Sequence, residues 1–158
     1  MCGGLGPLPG RLTLNWELRP LIGIGPLAFG ISRAEVREIV GESSRLFRKA
    51  PTDVQLTDEY AALGIHLYYD VDDRLQFMEG WNEPKATGWR PECNGVRFFD
   101  LGLDETLKAL GRLGFEVTPY GLGDYDCREL GLSLYAPSEL EGVACYSASY
   151  QRTLRASG

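Results

Sequence analysis

The stretch Leu63-Gly64-Ile65-His66-Leu67-Tyr68-Tyr69 decides the fold, because a similar stretch returns as Leu130-Gly131-Leu132-Ser133-Leu134-Tyr135-Ala136. Both stretches carry glycine at the second place and tyrosine at the sixth. Since a repeat determines the architecture before any local assignment, the chain is predicted to contain two copies of one unit. Upstream, each copy has a glycine, an apolar residue and a helix-capping residue, at Gly30-Ile31-Ser32 and at Gly102-Leu103-Asp104.

A short helix is predicted to open the first copy. Ser32 and Glu35 have the spacing of a capping box, in which each side chain accepts a backbone N–H of the other residue. Gly41 is placed to end this helix. The apolar residues on its inner side are Val36, Ile39 and Val40.

A second short helix is predicted to open the other copy. Asp104 is expected to cap it, and Gly114 is placed to end it. Its apolar residues recur at three-residue spacing, at Leu107, Leu110 and Leu113. Because both helices are short, they need a sheet to pack against.

The sheet is predicted from alternating residues downstream of each helix. In the first copy residues 65–69 and 74–79 form a hairpin, with turn chemistry in Asp70-Val71-Asp72-Asp73. In the second copy residues 132–135 and 143–149 form the corresponding hairpin, connected by 137–142. Further strands are expected in 13–18, 44–49, 95–99 and 115–119. Short connections favour antiparallel order.

The predicted architecture is a single α+β domain. Two tandem helix-plus-β-hairpin repeats, at 11–81 and 95–150, form one antiparallel curved sheet with helices on one face. A connector rich in proline and glycine is predicted at 82–94, and flexible tails at 1–10 and 151–158. The length of 158 residues and the hydrophobic content of 44% are those of one ordinary globular domain.

Charge and cysteine spacing narrow the classes of function. A net charge of -6 repels phosphate backbones, so nucleic-acid binding is not expected, whereas a basic protein partner would be attracted. The absence of an export signal and of a membrane-length apolar run predicts a cytoplasmic protein without membrane contact. The widely spaced cysteines are expected to stay free: Cys2, Cys93, Cys127 and Cys145.

The phrase Gly25-Pro26-Leu27-Ala28-Phe29-Gly30-Ile31-Ser32-Arg33-Ala34-Glu35-Val36, followed by Gly41, resembles the opening of the helix–strand repeat in the beta-lactamase inhibitory protein family. It is also similar to the related fold of small outer-membrane-assembly lipoproteins. The resemblance implies two tandem units joined in one curved sheet, whose concave open face grips a partner protein in the inhibitor family. This chain differs in lacking an export signal and paired cysteines within each unit, so a cytoplasmic relative would need another target.

The open face of the sheet is predicted to carry the partner-binding residues. If the apolar residues of the repeated stretch face the helices, alternation places the intervening side chains on the open face. These side chains are His66, Tyr68, Ser133 and Tyr135, with Gln76, Met78 and Tyr146 beside them. Tyrosine and methionine provide large, adaptable contact areas, which makes this face a candidate interface. The alternative is that they form cross-strand pairs that only stabilise the sheet.

Two tryptophans bracket the connector. Trp81 and Trp89 are candidate anchors at the rim of the interface, because tryptophan is common among interface hot spots. The alternative is that they fasten the connector onto the core.

Catalysis is not predicted. His66 is the only histidine, so neither a histidine-based metal cluster nor a relay with a second histidine can form. Asp70, Asp72 and Asp73 resemble part of a calcium loop but lack its glycine and its final glutamate. Nothing in the sequence fixes two of the other acidic residues at a catalytic separation; these are Asp58, Glu59, Glu139 and Glu141. The glycine-rich segment 23–26 lacks phosphate-loop spacing, and no cofactor or metal is expected.

The leading hypothesis is a non-enzymatic, cytoplasmic protein-binding module, of the immunity or inhibitor type, that covers a partner with its concave sheet. One alternative is a small-ligand-binding protein or an enzyme with a pocket near His66. His66 would then act as the acid or base. Another is a self-associating structural subunit. A broad aromatic surface favours protein binding, whereas a closed cavity that converges on His66 and a carboxylate favours chemistry.

Overall fold

The structure, a computed structural model, describes residues 16–82 and 89–157, with side chains described as far as residue 152. The described helices are α1 (Arg33–Val40), α2 (Phe98–Leu101), α3 (Leu103–Arg112) and α4 (Ala148–Ser157). The strands of the main sheet are β4 (Arg45–Phe47), β5 (Thr57–Tyr60), β6 (Ile65–Tyr69), β7 (Leu75–Trp81), β10 (Thr118–Tyr120), β11 (Asp124–Cys127), β12 (Leu132–Tyr135) and β13 (Gly142–Tyr146). Five two-residue strands lie outside it: β1 (Leu18–Arg19), β2 (Gly23–Ile24), β3 (Leu27–Ala28), β8 (Glu92–Cys93) and β9 (Val96–Arg97).

The main sheet is fully antiparallel and has the strand order β10-β11-β12-β13-β7-β6-β5-β4. Two four-stranded meanders, β4–β7 and β10–β13, therefore meet where β7 pairs with β13. The chain is a mixed α+β protein, as predicted from sequence. The predicted hairpins 65–69/74–79 and 132–135/143–149 supply the four inner strands.

The core lies on one face of this sheet. Ile65 and Leu67 of β6 and Leu132 and Leu134 of β12 are all buried there, as the alternation predicted. Helix α1 covers this face with Val36 and Val40, and helix α3 with Leu110. Three of the apolar residues predicted to pack against the sheet contribute less to the core. Ile39 and Leu113 are exposed, and Leu107 is half-buried.

The capping box of α1 is confirmed. Ser32 accepts the N–H of Glu35, and the Glu35 carboxylate accepts the N–H of Ser32. Gly41 ends the helix at a φ of 88°, in the left-handed region that favours glycine. The predicted cap at Asp104 is wrong, because the N-cap of α3 is Gly102, two residues earlier, and the helix has no side-chain cap.

Several predicted boundaries are also wrong. The strands β5 and β11 were not predicted, so each meander has four strands instead of a strand followed by a hairpin. Strand β10 begins only at Thr118, and the segment after β9 forms the short helix α2. Strand β13 ends at Tyr146, because helix α4 begins at Ala148 and continues into the predicted flexible tail. The other predicted tail, 1–10, lies outside the described residues, as do 13–15 of the predicted strand 13–18 and 83–88 of the connector.

A buried ion cluster fastens α1 to the sheet. Asp58 of β5 points to the core and is fully buried. Its carboxylate accepts hydrogen bonds from the Tyr69 hydroxyl at 2.7 Å and from Arg37 at 2.9 Å, and pairs with Arg33 at 3.2 Å. Its chain neighbour Glu59 points to the opposite face, so Asp58 and Glu59 cannot act as one pair of acids. Cys93, Cys127 and Cys145 are free and buried, as predicted, and Cys2 lies outside the described residues.

A glycine exchange tests the turn that precedes β12. Gly131 has a φ of 62°, and an added Cβ would lie 2.8 Å from the Tyr146 carbonyl oxygen and 2.6 Å from Leu21. We expect Gly131→Ala to lower the free energy of unfolding by about 2 to 4 kcal/mol, from backbone strain and overpacking. The measurement is urea denaturation followed by circular dichroism.

Gly111→Ala is the matched control. Gly111 lies in α3, where an added Cβ meets nothing within 4 Å. The control should raise the free energy of unfolding by about 0.5 to 1 kcal/mol, because alanine is the better helix former. A Gly131→Ala protein as stable as wild type would show that the turn is described wrongly.

Candidate partner-binding groove

The open face of the sheet carries three rows of side chains that cross all or part of it. Residues opposite each other on paired strands share a face, so the strand register identifies each row. The polar row consists of Arg45, Glu59, His66, Glu79, Ala144, Ser133, Asp126 and Thr118. The first aromatic row consists of Tyr68, Phe77 and Tyr146. The second aromatic row consists of Trp81, Gly142, Tyr135, Asp124 and Tyr120.

The central residues of these rows line a groove of about 580 Å³ across the junction of the two meanders. The central strand β13 contributes its smallest open-face residues, Gly142 and Ala144, to the lining. A Cβ added at Gly142 would lie 3.5 Å from both the Trp81 ring and the Tyr135 Cβ. The space therefore exists because small residues stand at the centre of the sheet, between aromatic walls from its two halves.

His66 lies in the wall of the groove. Its ring makes edge contacts with Phe47 at 4.9 Å and with Trp81 at 4.7 Å between centroids. Its Nε2 lies 3.8 Å from the Glu59 carboxylate. Burial lowers the pKa of His66, although Glu79 and Glu59 act in the opposite direction. A lowered pKa leaves the imidazole neutral at pH 7.

Glu79 stands beside His66 in the polar row. It accepts a hydrogen bond from the Tyr68 hydroxyl and pairs with the Lys49 ammonium at 3.3 Å. The same ammonium lies 4.6 Å from the centroid of the Tyr68 ring. Burial, followed by the hydrogen bond to Glu79, raises the pKa of Tyr68, which therefore stays a neutral donor.

Asp126 occupies the other half of the polar row. Its carboxylate accepts hydrogen bonds from the Ser133 hydroxyl at 3.1 Å and from the Tyr146 hydroxyl at 2.8 Å. Arg128 lies 3.7 Å away. Carboxylates thus stand in the polar row on both sides of the junction, each next to an aromatic side chain.

Helix α4 covers one end of the groove. The Tyr150 ring lies 5.0 Å from the ring of Phe77 and 5.8 Å from that of Tyr146, both in the first aromatic row. The prediction that all helices lie on one face is wrong for this helix. Tyr146 is consequently only 2% exposed, although it stands on the predicted face.

The structure brings together five of the predicted partner-binding residues in the lining of the groove: His66, Tyr68, Trp81, Tyr135 and Tyr146. Of these Tyr135 is the most open to solvent, at 43% exposure. Trp89 does not belong to the groove, because it packs on the other face against Trp16, with ring centroids 5.4 Å apart. The alternative interpretation of Trp89 from the sequence was that it fastens the connector onto the core.

Met78 is also placed wrongly by the sequence prediction, since it is fully buried on the core face. The reason is a β-bulge: Tyr68 pairs with Phe77 while Tyr69 pairs with Leu75, which leaves Gln76 as an extra residue on β7. The bulge inverts the alternation, so that Phe77, Glu79 and Trp81 take the open face and Met78 takes the core.

Sequence reasoning missed several lining residues: Phe47, Lys49, Phe77, Glu79, Asp124 and Tyr150. The only available signal was the Gly-x-Ala alternation of β13, which indicates a depression on one face of a strand. Neither the bulge in β7 nor the approach of α4 has a local sequence signature.

Among the described residues, histidine, cysteine and acidic side chains form no group of three that could hold a metal ion. Within residues 16–82 and 89–157, no helix has the length and hydrophobicity of a membrane span. No protein-family model, curated protein or solved structure matches the chain. The resemblance to the inhibitor family therefore stays a prediction.

A proton NMR titration of His66, the single histidine, tests the environment of the groove wall. Burial should place its folded-state pKa below the usual 6.5. Because the unfolded chain binds the proton more readily, the free energy of unfolding should fall as the pH drops from about 7 through 6.5 towards the folded pKa. In the control His66→Gln this part of the pH dependence should vanish. A midpoint at or above 6.5 would contradict the described burial.

Proposed function

We propose that this chain is a non-enzymatic, cytoplasmic protein-binding module of the immunity or inhibitor type. Its groove binds a basic segment of a partner protein. The single observation that carries the proposal is the arrangement of the open face, where Glu79 of the polar row stands between two aromatic rows in one groove.

The aromatic rows suit protein recognition. Aromatic side chains provide large contact areas at low entropic cost, and interface hot spots concentrate in such residues at the centre of a contact. Trp81 and Tyr135 flank the central depression from opposite sides of the β7–β13 junction. A side chain of the partner that enters between them would be desolvated on both flanks.

The charges of the groove select the partner. Glu79 and Asp124 line it, and Glu59 and Asp126 continue the polar row towards both edges. A basic segment laid along this row meets a carboxylate in each half of the sheet. The net charge of -6 would also accelerate its approach, because complementary charge steers diffusional encounter.

The two meanders support the proposal that they are tandem copies of one unit. Gly64 and Gly131 precede β6 and β12 with φ values of 76° and 62°. The Gly64 carbonyl accepts the N–H of Trp81, and the Gly131 carbonyl accepts the N–H of Tyr146, the last residues of β7 and β13. A duplicated unit with a concave face is also what the resemblance to the inhibitor family implies.

A small-ligand or enzymatic function near His66 is the second candidate. It is favoured by the groove volume, which lies in the range of small-molecule sites, and by the 3.8 Å distance between His66 and Glu59. The edge contacts of the imidazole with the rings of Phe47 and Trp81 favour a role in the wall of the groove instead. Binding of a small metabolite that perturbs His66 but not the β13 amides would favour this candidate.

Affinity capture from the native host, with groove and control variants compared quantitatively, tests the proposed function. Tyr135→Ala removes one wall, and Ala144→Leu fills the depression without removing any wall residue. Each should reduce recovery of the true partner at least about tenfold, the effect expected of a hot spot.

Leu113→Ala is the control, since Leu113 on α3 is 46% exposed, close to the 43% of Tyr135. It should recover the partner as wild type does. The captured protein, once purified, should show the same order of affinities by titration calorimetry. Equal recovery by wild type and both groove variants would refute binding in the groove.

A further inference from the structure

We propose that Lys49 occupies a cation site of the groove that belongs, in the complex, to a lysine ammonium of the partner. The inference rests on the proposed function and names the group that the groove recognises. Lys49 would then act as a built-in competitor, which the partner's lysine displaces.

The site is built from three side chains. The Lys49 ammonium lies 3.3 Å from the Glu79 carboxylate, 4.6 Å from the Tyr68 ring centroid and 6.0 Å from the Phe77 ring centroid. A carboxylate combined with two aromatic faces is the environment that an ammonium prefers, because the charge and the ring quadrupoles act together. The site therefore has the chemistry of a cation pocket.

The half-buried position of Glu79 strengthens this preference. The side chain of Glu79 is 22% exposed. Tyr68 stays protonated and donates its hydroxyl to Glu79, which adds no positive charge. His66, opposite Glu79 in the polar row, has a lowered pKa and is neutral at pH 7. Within the described lining of the groove, Lys49 thus provides the permanent positive charge next to Glu79.

Lys49 is held in this site only weakly. It lies in the segment between β4 and β5, and its side chain is 53% exposed. Exposed ion pairs contribute little net stability, so the ammonium can leave at small cost. Water can take the place of the Lys49 ammonium beside Glu79, but another ammonium restores both the ion pair and the ring contacts. The site can therefore exchange one lysine for another without any change in the sheet.

The neighbouring carboxylate has the same arrangement. Arg45 pairs with Glu59 at 2.6 Å while its guanidinium lies 4.8 Å from the centroid of the Phe47 ring. Two acids of the polar row, on either side of His66, thus each hold a cation over an aromatic ring. The preference for cations is a property of the row, and Lys49 marks the position that lies inside the groove.

The test uses the peptide acetyl-Gly-Lys-Gly-amide, with acetyl-Gly-norleucine-Gly-amide as the uncharged probe of similar shape. Binding is followed by amide chemical shifts of residues 66–68 and 77–81 in the full-length protein. Lys49→Gln removes the competitor, and should bind the lysine peptide about five- to tenfold more tightly than wild type, as expected when a mostly occupied site is freed.

Two further variants complete the design. Lys108→Gln removes an equal charge from α3, where Lys108 pairs with Glu105, and should bind as wild type does. Glu79→Gln keeps an acceptor for Tyr68 but removes the charge, and should abolish the gain when combined with Lys49→Gln. The norleucine peptide should not shift these amides in any variant.

Three results would overturn the inference: no lysine binding by Lys49→Gln, an equal gain in Lys108→Gln, or equal binding of the norleucine peptide. The outcome is separable from that of the proposed function. If groove variants lose the partner while Lys49→Gln gains no affinity for the lysine peptide, only the cation site fails. If Lys49→Gln gains affinity while groove variants keep the partner, the groove binds ammonium but is not the partner interface.

Discussion

The antiparallel pairing of β7 with β13 is the interaction on which the rest of the structure depends. Five residue pairs, from Trp81–Gly142 to Phe77–Tyr146, join two meanders into one eight-stranded sheet. Without this pairing each meander would expose a long edge of unsatisfied backbone groups. The groove crosses the same junction, so neither half of the chain can form it alone. The backbone hydrogen bonds between the meanders and the groove of the candidate function therefore depend on the same strand pairing.

The two faces of the sheet carry acidic residues in different environments, one in the core and the other on the open face. Asp58 faces the core, where two guanidinium groups and a phenol pair with its buried carboxylate. Glu79 and Asp126 stand on the open face, where hydroxyl donors hold them in place and Lys49 and Arg128 lie nearby. Because the groove is partly shielded from water, the charge of Glu79 acts more strongly there than on an open surface. The buried acid and the acids of the open face thus differ in the face on which alternation places them.

Much of the architecture was predictable because it follows from local rules. The alternation of Ile65 and Leu67 identified the buried side of β6, and the capping box at Ser32 identified the start of α1. His66, Tyr68 and Tyr135 were correctly placed on the open face for the same reason. What failed was non-local. The extra residue at Gln76 reverses the alternation of β7 and moves Met78 into the core, and no sequence pattern marks that bulge. Helix α4 then buries Tyr146, although its sequence resembled that of a tail.

By itself, the sequence determined the α+β class, the start of α1, the inner hairpins and the polar-aromatic character of one sheet face, since these depend on side-chain periodicity and capping within a few residues. Only the tertiary structure decided the strand order, the pairing of β7 with β13 and the cation-holding contact of Lys49 with Glu79. Those features join residues that lie far apart in the chain. Their free energy comes from register and packing between elements, which a local pattern of residues does not encode.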